Sequence, residues 1–266
     1  MIGLDFPQIS PIMFSIGPLA IRWYSMAYLA GILIGWFIVS KYVKKYDIGF
    51  TKTDLEDLAF YVTLGVVLGG RLGYVFFYGG EENLFFKNPL HIFEIWKGGM
   101  SFHGGIIGVI TAIYIYARNR KFSFFKVSDL VCLVVPIGIL FGRIANFIND
   151  ELWGRVTNVA WAVKFPNGGY LPRHPSQLYE SFLEGFVMLI VLNLLWRKQY
   201  IRERHGIISA LFVLLYALFR AFVEQYREPD AQIGFLFGHI TMGQLLSVPF
   251  VLVGLYVIYK KTRPLK

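Results

Sequence analysis

Seven stretches of mostly apolar side chains alternate with short polar connections along this chain. Each stretch is close to the roughly 20 residues that an α-helix needs to cross the hydrocarbon core of a bilayer. The predicted spans are Leu19–Ser40, Leu55–Phe77, Met100–Ala117, Val127–Phe147, Ser176–Trp196, Ile207–Tyr226 and His239–Tyr259. This pattern predicts an all-α polytopic membrane protein with seven transmembrane helices, built as a single integral membrane domain over residues 1–266.

Composition supports the membrane assignment and excludes several kinds of site. The chain is 56% hydrophobic and 16% charged, whereas soluble domains average about 25% charged residues. Its single cysteine, Cys132, excludes an internal disulfide and a cysteine-based metal cluster. The histidines are scattered without the spacing of metal ligands, so we expect no metal and no cofactor.

The distribution of lysine and arginine predicts the orientation of the spans. Four alternate connections or tails carry four of these residues each, which accounts for 16 of the 26 in the chain: 41–53, 118–126, 197–206 and 260–266. The positive-inside rule makes these segments cytoplasmic. The amino terminus is then outside and the carboxyl terminus is in the cytoplasm. Topology therefore explains most of the net charge of +9, and no nucleic-acid partner is expected.

The longest predicted external connection, residues 148–175, is polar and non-repetitive. It contains a strand-like run at Val159–Val163, followed by a Pro-Asn-Gly-Gly turn at 166–169. We expect this connection to fold into a small cap on the external side.

Residues 142–154 place charged and amide side chains directly after an apolar run. A charged arginine near mid-bilayer costs about 2.5–3.5 kcal/mol, so such a residue usually faces a protein interior or a wet cavity. With helical periodicity, Arg143, Asn146 and Asp150 share one face and Glu151 lies beside them. The alternative interpretation is a polar helix end that meets water.

A second buried arginine is predicted in the sixth span. Arg220, Glu224 and Arg227 lie at positions i, i+4 and i+7 on one stripe. Because Arg143 and Arg220 both belong to the external halves of their spans, they can converge. Two guanidinium groups aimed at one cavity suit an anionic ligand, since arginine binds phosphate through two parallel hydrogen bonds. The alternative is an arginine–glutamate ladder that only neutralises itself.

Three further motifs leave structural and functional roles open. The fifth predicted span begins at Ser176 after a proline, and Gln177, Glu180 and Glu184 lie on one face of it. The two glutamate carboxylates can pair with the buried arginines or take part directly in catalysis. His103 lies between glycines at the start of the third span. The Gly69–Gly73 spacing favours close helix approach, while the intervening Arg71 needs a partner or a headgroup.

The stretch from Gly142 to Gly154 resembles the signature of bacterial prolipoprotein diacylglyceryl transferases, Gly-Arg-x-(Gly/Ala)-Asn-Phe-x-Asn-x-Glu-x-x-Gly. Every fixed position is matched. Further matching blocks follow in order: 14–18, 23–24, 69–74, 98–105, 173–180 and 227–232. One departure is Asp150, where a small residue such as glycine is expected.

The resemblance implies a seven-helix enzyme of the bacterial inner membrane with its active site open to the periplasm. Such an enzyme transfers the diacylglyceryl group of phosphatidylglycerol to the lipobox cysteine of a prolipoprotein, forms a thioether and releases glycerol phosphate. Its partners are therefore phosphatidylglycerol, the prolipoprotein signal peptide with its lipobox cysteine, and membrane lipids. The nucleophile belongs to the substrate, so the enzyme needs no cysteine of its own.

We assign residue roles from this resemblance and from the residues above. Predicted catalytic residues are Tyr24, His103, Arg143, Glu151 and Arg220. Predicted contacts of phosphatidylglycerol are Arg143, Asn146, Gly154, Arg220, Glu224 and Arg227. In this hypothesis the arginines Arg143 and Arg220 hold the phosphate and His103 takes the thiol proton. The alternatives for the base are Glu151 or no residue of the enzyme. Asn146 and Tyr24 position the headgroup, and Glu151 and Glu224 orient the arginines.

Two other classes of function remain to be tested against this one. A transporter of anionic lipids would use the same arginines without reaction, but the inverted repeats common in transporters are not visible. An intramembrane hydrolase would need a nucleophile or metal motif, and neither Gly-x-Ser-x-Gly nor His-Glu-x-x-His occurs.

Overall fold

The computed structural model describes residues 3–17, 19–77, 89–94, 98–229, 234, 236 and 240–263. Its helices are α1 (Trp23–Tyr46), α2 (Lys52–Phe77), α3 (Phe102–Asn119), α4 (Phe124–Cys132), α5 (Val135–Ile148), α6 (Ser176–Glu180), α7 (Met188–Trp196), α8 (Gln199–Arg202), α9 (Ile207–Val223) and α10 (Met242–Thr262). A π-helical segment, Ser181–Val187, joins α6 to α7, and a 3-10 turn covers Pro89–Phe93. The strands are β1 (Leu4–Asp5), β2 (Ile12–Ile16), β3 (Leu19–Arg22), β4 (Val163–Lys164) and β5 (Pro172–Arg173).

The structure is that of a mostly helical membrane protein. Within the described ranges, five helices are long and apolar enough to cross a membrane: Trp23–Tyr46, Lys52–Phe77, Phe124–Ile148, Ser176–Trp196 and Met242–Thr262. Helix α9 is apolar but has only 17 residues, and α3 has 18. The seven spans and the orientation of the termini therefore stay predictions. The predicted start of the last span, His239, lies outside the described residues.

Several predicted span boundaries shift by a few residues, and two of these differences have a clear structural cause. The first helix begins at Trp23, four residues after the predicted start, because Leu19–Arg22 pairs antiparallel with Ile12–Ile16 in a hairpin. The fourth span is interrupted between Cys132 and Val135, where Pro136 stands in the first turn of α5. Proline has no backbone N–H to continue the ladder of hydrogen bonds, and this favours a new helix start.

The chain forms two compact units, one of residues 1–35 with 129–266 and the other of residues 36–128. The prediction of a single domain stays a prediction. In the first unit a three-stranded sheet has the order β1-β4-β5, with β1 parallel to β4 and β4 antiparallel to β5. The amino-terminal segment thus completes a sheet with the predicted cap.

The predicted turn of the cap is confirmed, and its strand is displaced. The backbone N–H groups of Gly168 and Tyr170 both donate to the carbonyl oxygen of Phe165, at 3.0 Å each. The strand covers Val163–Lys164 instead of Val159–Val163. Pairing with residues 4–5, far away in sequence, decides where that strand lies.

Helices α2 and α3 of the second unit pack through glycines. A Cβ atom on Gly69 would lie 2.3 Å from the carbonyl oxygen of Gly104, and one on Gly108 would lie 2.1 Å from that of Gly65. Real side chains cannot approach a backbone oxygen so closely. The predicted close approach at the glycine spacing is confirmed.

Arg71 in the same unit is held by main-chain oxygens. Its side chain donates to the carbonyl oxygens of Ile92 at 3.2 Å, Gly98 at 2.5 Å and Gly99 at 3.2 Å. The residue is 4% exposed. These contacts give Arg71 the partner that a buried guanidinium needs, and they fix the segment that leads into α3.

A pair of glycine substitutions tests this packing. Gly108→Ala is expected to destabilise the protein by about 1–3 kcal/mol, because the new methyl group overpacks the contact with α2. Gly105→Ala is the matched control in the same helix, since no atom lies within 4 Å of its added Cβ among the described residues. Thermal unfolding in one detergent compares the two, and equal midpoints would contradict the packing argument.

Candidate active site

The first unit brings charged side chains from three helices to one place. Arg143 extends from α5, Glu180 ends α6, and Arg220 lies in the last turn of α9. Helix α6 begins at Ser176 after Pro175, as predicted. We call Arg143, Glu180, Glu184, Arg220, Glu224 and Arg227 the arginine cluster.

Glu180 is the common partner of all three arginines in this cluster. Its Oε2 atom lies 2.7 Å from Arg143 Nη2 and 3.2 Å from Arg220 Nη1. Its Oε1 atom lies 3.1 Å from Arg227 Nη1. Because two guanidinium groups approach the same carboxylate oxygen, Arg143 and Arg220 converge, as the sequence pattern predicted.

The remaining carboxylates contact the same arginines. Glu224 Oε2 lies 2.8 Å from Arg220 Nη2, and Glu184 Oε2 lies 3.8 Å from Arg143 Nη2. The predicted role of Glu224 in orienting an arginine agrees with this geometry. The side chains of Arg143 and Arg220 stay 18% and 16% exposed, while Glu180 has no exposed surface. A small part of each of these two arginine side chains therefore stays accessible.

The backbone around Glu180 is fixed against α5 by two contacts. Ser181 Oγ donates to the carbonyl oxygen of Leu140 at 2.9 Å. A Cβ atom on Gly185 would lie 2.7 Å from Leu140 Cα, so the π-helical segment touches the backbone of α5. This close approach presents Glu180 and Glu184 toward Arg143.

A second polar group lies at the end of α5. Asn146 Nδ2 donates to the hydroxyl of Tyr24 and, at 2.9 Å, to Glu151 Oε1. Asn149 Nδ2 is 3.5 Å from the same carboxylate oxygen. Tyr24 and Glu151 also interact directly. The structure thus brings together Tyr24, Asn146 and Glu151, which the sequence placed in one site.

The predicted role of Glu151 in orienting the arginines stays a prediction, since the contacts of Glu151 among the described residues are with other groups. Its carboxylate is engaged by amide groups and by Tyr24, and no described arginine forms an ion pair with it. Helical periodicity puts Glu151 beside Arg143, but α5 ends at Ile148 and the chain turns. Among the described residues, Glu180 is the carboxylate that contacts all three arginines of the cluster.

Gly154 lies where three backbone segments meet. Its N–H donates to the carbonyl oxygen of His174 at 2.9 Å, and it forms an antiparallel bridge with Arg227. A Cβ atom there would lie 2.5 Å from the carbonyl oxygen of Tyr226. Packing alone therefore requires glycine, and a contact with substrate stays a prediction.

His103 lies in the second unit, in the first turn of α3, where Ser101 caps the helix. Its ring is exposed and stands edge-on to Phe102, with the ring centroids 5.8 Å apart. The role of His103 as a base stays a prediction.

Tyr216 was missed by the sequence analysis. It interacts electrostatically with Glu180, Glu184, Arg143 and Arg220. The spacing of Tyr216, one helical turn before Arg220 in α9, was the signal that would have identified it. Its hydroxyl adds a neutral hydrogen-bonding group to the arginine cluster.

A cavity of about 470 Å³ in the same unit has largely apolar and aromatic walls, including Leu178, Phe182 and Phe222. Its polar atoms are used internally: Trp161 Nε1 donates to the hydroxyl of Tyr179 at 2.7 Å, and His174 Nδ1 is 3.0 Å from the same hydroxyl. Burial lowers the pKa of His174 and favours its neutral form.

The departure from the family signature at position 150 has a structural explanation. Asp150 has a φ of 53°, a conformation that favours glycine and is tolerated by aspartate and asparagine. Its Oδ2 atom accepts a hydrogen bond of 2.6 Å from the backbone N–H of Asn167. Asp150 therefore ties the end of α5 to the turn of the cap.

Asp150 is expected to make stability depend on pH. Its buried Oδ1 atom has no hydrogen-bond partner among the described residues, and burial raises the pKa of the carboxyl group. The folded state then holds the proton more tightly than the unfolded state, so stability falls as pH rises above the ordinary aspartate range of about 4. Asp150→Asn keeps an acceptor for Asn167 and removes the charge. Its unfolding midpoint should exceed that of the wild type by more at pH 7 than at pH 4.

Asp150→Gly is the control for this experiment. It accepts the backbone conformation but loses the hydrogen bond to Asn167, so it should be less stable at both pH values. An advantage of Asp150→Asn that is equal at pH 4 and pH 7 would contradict the titration of Asp150.

Known proteins resemble this chain over nearly its full length. A family model described as prolipoprotein diacylglyceryl transferase matches residues 11–260. A phosphatidylglycerol–prolipoprotein diacylglyceryl transferase of Rickettsia felis is 49% identical over 96% of this chain and 98% of its own length. Proteins of the same name from Paramagnetospirillum magneticum and Vibrio cholerae are 52% and 51% identical, each over 96% of this chain and over 95% and 92% of their own lengths. With this coverage, the chain belongs to the prolipoprotein diacylglyceryl transferase family.

Proposed function

We propose that this chain transfers the diacylglyceryl group of phosphatidylglycerol to the thiol of the lipobox cysteine of a prolipoprotein, forming a thioether and releasing glycerol phosphate. The observation that carries the proposal is the convergence of Arg143 and Arg220 on one oxygen of Glu180, with part of each arginine side chain still exposed. Two permanent cations side by side suit one phosphate group.

The proposed location is the bacterial inner membrane, with seven spans and the site open to the periplasm. The apolar helices, the bacterial relatives and the distribution of lysine and arginine support it. The amino terminus would be periplasmic and the carboxyl terminus cytoplasmic. A reporter that is active only in the periplasm, fused to the carboxyl terminus, should be inactive. An active reporter would contradict this orientation.

The reaction replaces a carbon–oxygen bond by a carbon–sulfur bond. The substrate sulfur attacks the diacylglyceryl carbon that carries the phosphate, and the electron pair of the broken bond stays on the phosphate oxygen. Negative charge grows on the leaving glycerol phosphate. Fixed cations in a site of low dielectric stabilise such charge far better than exposed ones. Arg143 and Arg220 would supply this stabilisation.

The thiol must lose its proton during the attack. A free thiol has a pKa of about 8.5 and is mostly neutral at pH 7. His103 is the proposed acceptor of this proton. If His103→Gln keeps a transfer rate near that of the wild type, the proton goes to another group.

The remaining polar residues would hold the lipid headgroup and the arginines. Asn146 and Tyr24, which share a hydrogen bond, would contact the glycerol hydroxyls and position the headgroup. Glu180 and Glu224 keep the guanidinium groups in place through their ion pairs. The signal peptide of the prolipoprotein would present its cysteine from within the bilayer.

Mass spectrometry of a lipobox peptide tests the proposed function. The peptide is incubated with the purified protein and phosphatidylglycerol, and a mass gain of one diacylglyceryl group is expected. A peptide with serine in place of cysteine is the control and should stay unmodified. Cleavage of the peptide would indicate a hydrolase, and an unchanged peptide would favour a lipid transporter.

A further inference from the structure

Glu184 is a fully buried carboxyl group that the proposed chemistry does not use. It has no exposed surface, and neither of its oxygens has a hydrogen-bond partner among the described residues. Its cationic neighbour Arg143 lies 3.8 Å away, while the same Arg143 nitrogen is only 2.7 Å from Glu180. A buried carboxylate without hydrogen bonds stays ionised only through nearby positive charge, which the arginines of the cluster supply while no anion is bound.

The backbone holds Glu184 firmly in this position. It lies in the π-helical segment Ser181–Val187. Such segments are rare in proteins, and those that occur are often found at functional sites. The following residue, Gly185, touches the backbone of Leu140, so the segment has little room to move away from α5. Glu184 cannot leave the cluster to find solvent.

The charges of the arginine cluster cancel only while no anionic lipid headgroup is bound to it. Three arginines face three glutamates, so the net charge is zero when all six are ionised. The phosphodiester of phosphatidylglycerol adds one negative charge. In a buried site this excess is expensive, because charges interact strongly at low dielectric. Glu184 is the carboxylate with the weakest contacts, since Glu180 has three arginine partners and Glu224 has one at 2.8 Å.

We infer that Glu184 takes up one proton from solvent when an anionic phosphodiester headgroup binds Arg143 and Arg220. The inference rests on the proposed function. The charged and titratable groups that face Glu184 are Arg143 on α5, Glu180 at the end of α6, Tyr216 and Arg220 on α9, and Arg227 beyond it. The proton converts the Glu184 carboxylate to the neutral acid and restores the charge balance that the lipid disturbs.

Headgroup binding should then depend on pH through Glu184. When one proton is taken up with each lipid, the dissociation constant rises up to about tenfold per pH unit. Glu184→Gln mimics the protonated form and should bind the lipid with little change between pH 6 and pH 8.

Calorimetry in two buffers counts the proton directly. The full chain in detergent is titrated with a short-chain phosphatidylglycerol at pH 7, in HEPES and in Tris, whose heats of ionisation differ and which contain no phosphate to compete for the arginines. The difference between the observed heats gives the number of protons taken up per lipid. We expect up to one for the wild type and none for Glu184→Gln, which still binds. Glu203→Gln, an exposed glutamate of the chain, is the control and should match the wild type.

The outcomes separate this inference from the proposed function. Wild-type binding without proton uptake overturns the inference alone, and so does equal uptake in Glu184→Gln. Glu184→Leu, which has no titratable group, should also bind without uptake; if it takes up a proton, another group is responsible and the inference is wrong. If the wild type neither binds the lipid nor modifies a lipobox peptide, the proposed function fails and the inference fails with it.

Discussion

Arg143→Ala is expected to lower the rate of diacylglyceryl transfer by about 100- to 1,000-fold, the usual effect of removing one fixed donor from a developing oxyanion. The loss should appear in the maximal rate more than in the lipid concentration at half-saturation, because the charge on the phosphate oxygen grows as the bond breaks. Arg143→Lys keeps the charge but loses the paired donors, so it should retain only part of the activity. Initial rates of peptide modification measure both.

Removal of Arg143 also disturbs the fold, and the control must separate the two effects. Arg143→Ala leaves Glu180 and Glu184 with less positive charge nearby. The double variant Arg143→Met with Glu184→Gln removes one charge of each sign and should recover most of the lost stability without recovering transfer. Arg197→Ala, an exposed arginine of the chain, should be fully active. Full activity of both Arg143→Ala and Arg143→Lys would remove Arg143 from the mechanism.

Local patterns predicted much of the helical structure. The fifth predicted span runs from Ser176 to Trp196, as observed, because a proline before the first turn and an apolar run are both local signals. The glycine spacing in α2 likewise predicted close packing. The hairpin of residues 12–22 was missed because apolar side chains suit both a strand and the start of a membrane helix.

The sequence predicted which residues form the candidate site, but only partly which acidic and basic side chains contact each other. Position along the spans indicated that Arg143 and Arg220 converge, and the signature identified Asn146 and Glu151. Which glutamate contacts which arginine depends on the rotation of each helix about its axis and on the π-helical segment. No local sequence pattern indicates either of these features. The sequence allowed Glu180 and Glu184 to pair with the buried arginines, but only the structure shows that Glu180 is shared by three of them. Among the described residues, the contacts of Glu151 are with amide groups and Tyr24.

Glu180→Ala is expected to be the most destabilising single substitution in the arginine cluster. The buried carboxylate contacts Arg143, Arg220 and Arg227, and its removal leaves three guanidinium groups with fewer negative partners. Breaking a buried ion pair typically costs about 3–5 kcal/mol, so little folded protein should be recovered. Glu180→Gln preserves the shape and one acceptor, and should unfold at a clearly lower temperature than the wild type.

Comparison with an exposed ion pair tests whether burial causes the large loss of stability expected for substitutions of Glu180. Glu228 is 43% exposed and contacts Arg173 at 2.9 Å, so Glu228→Gln should cost at most about 1 kcal/mol. Adding Arg227→Gln to Glu180→Gln removes one of the unbalanced cations, and the two changes should couple by about 0.5–3 kcal/mol. If Glu180→Gln is no less stable than Glu228→Gln, the shared carboxylate does not hold the arginines. Their convergence would then need another cause, because three neighbouring guanidinium groups repel one another unless an anion lies between them.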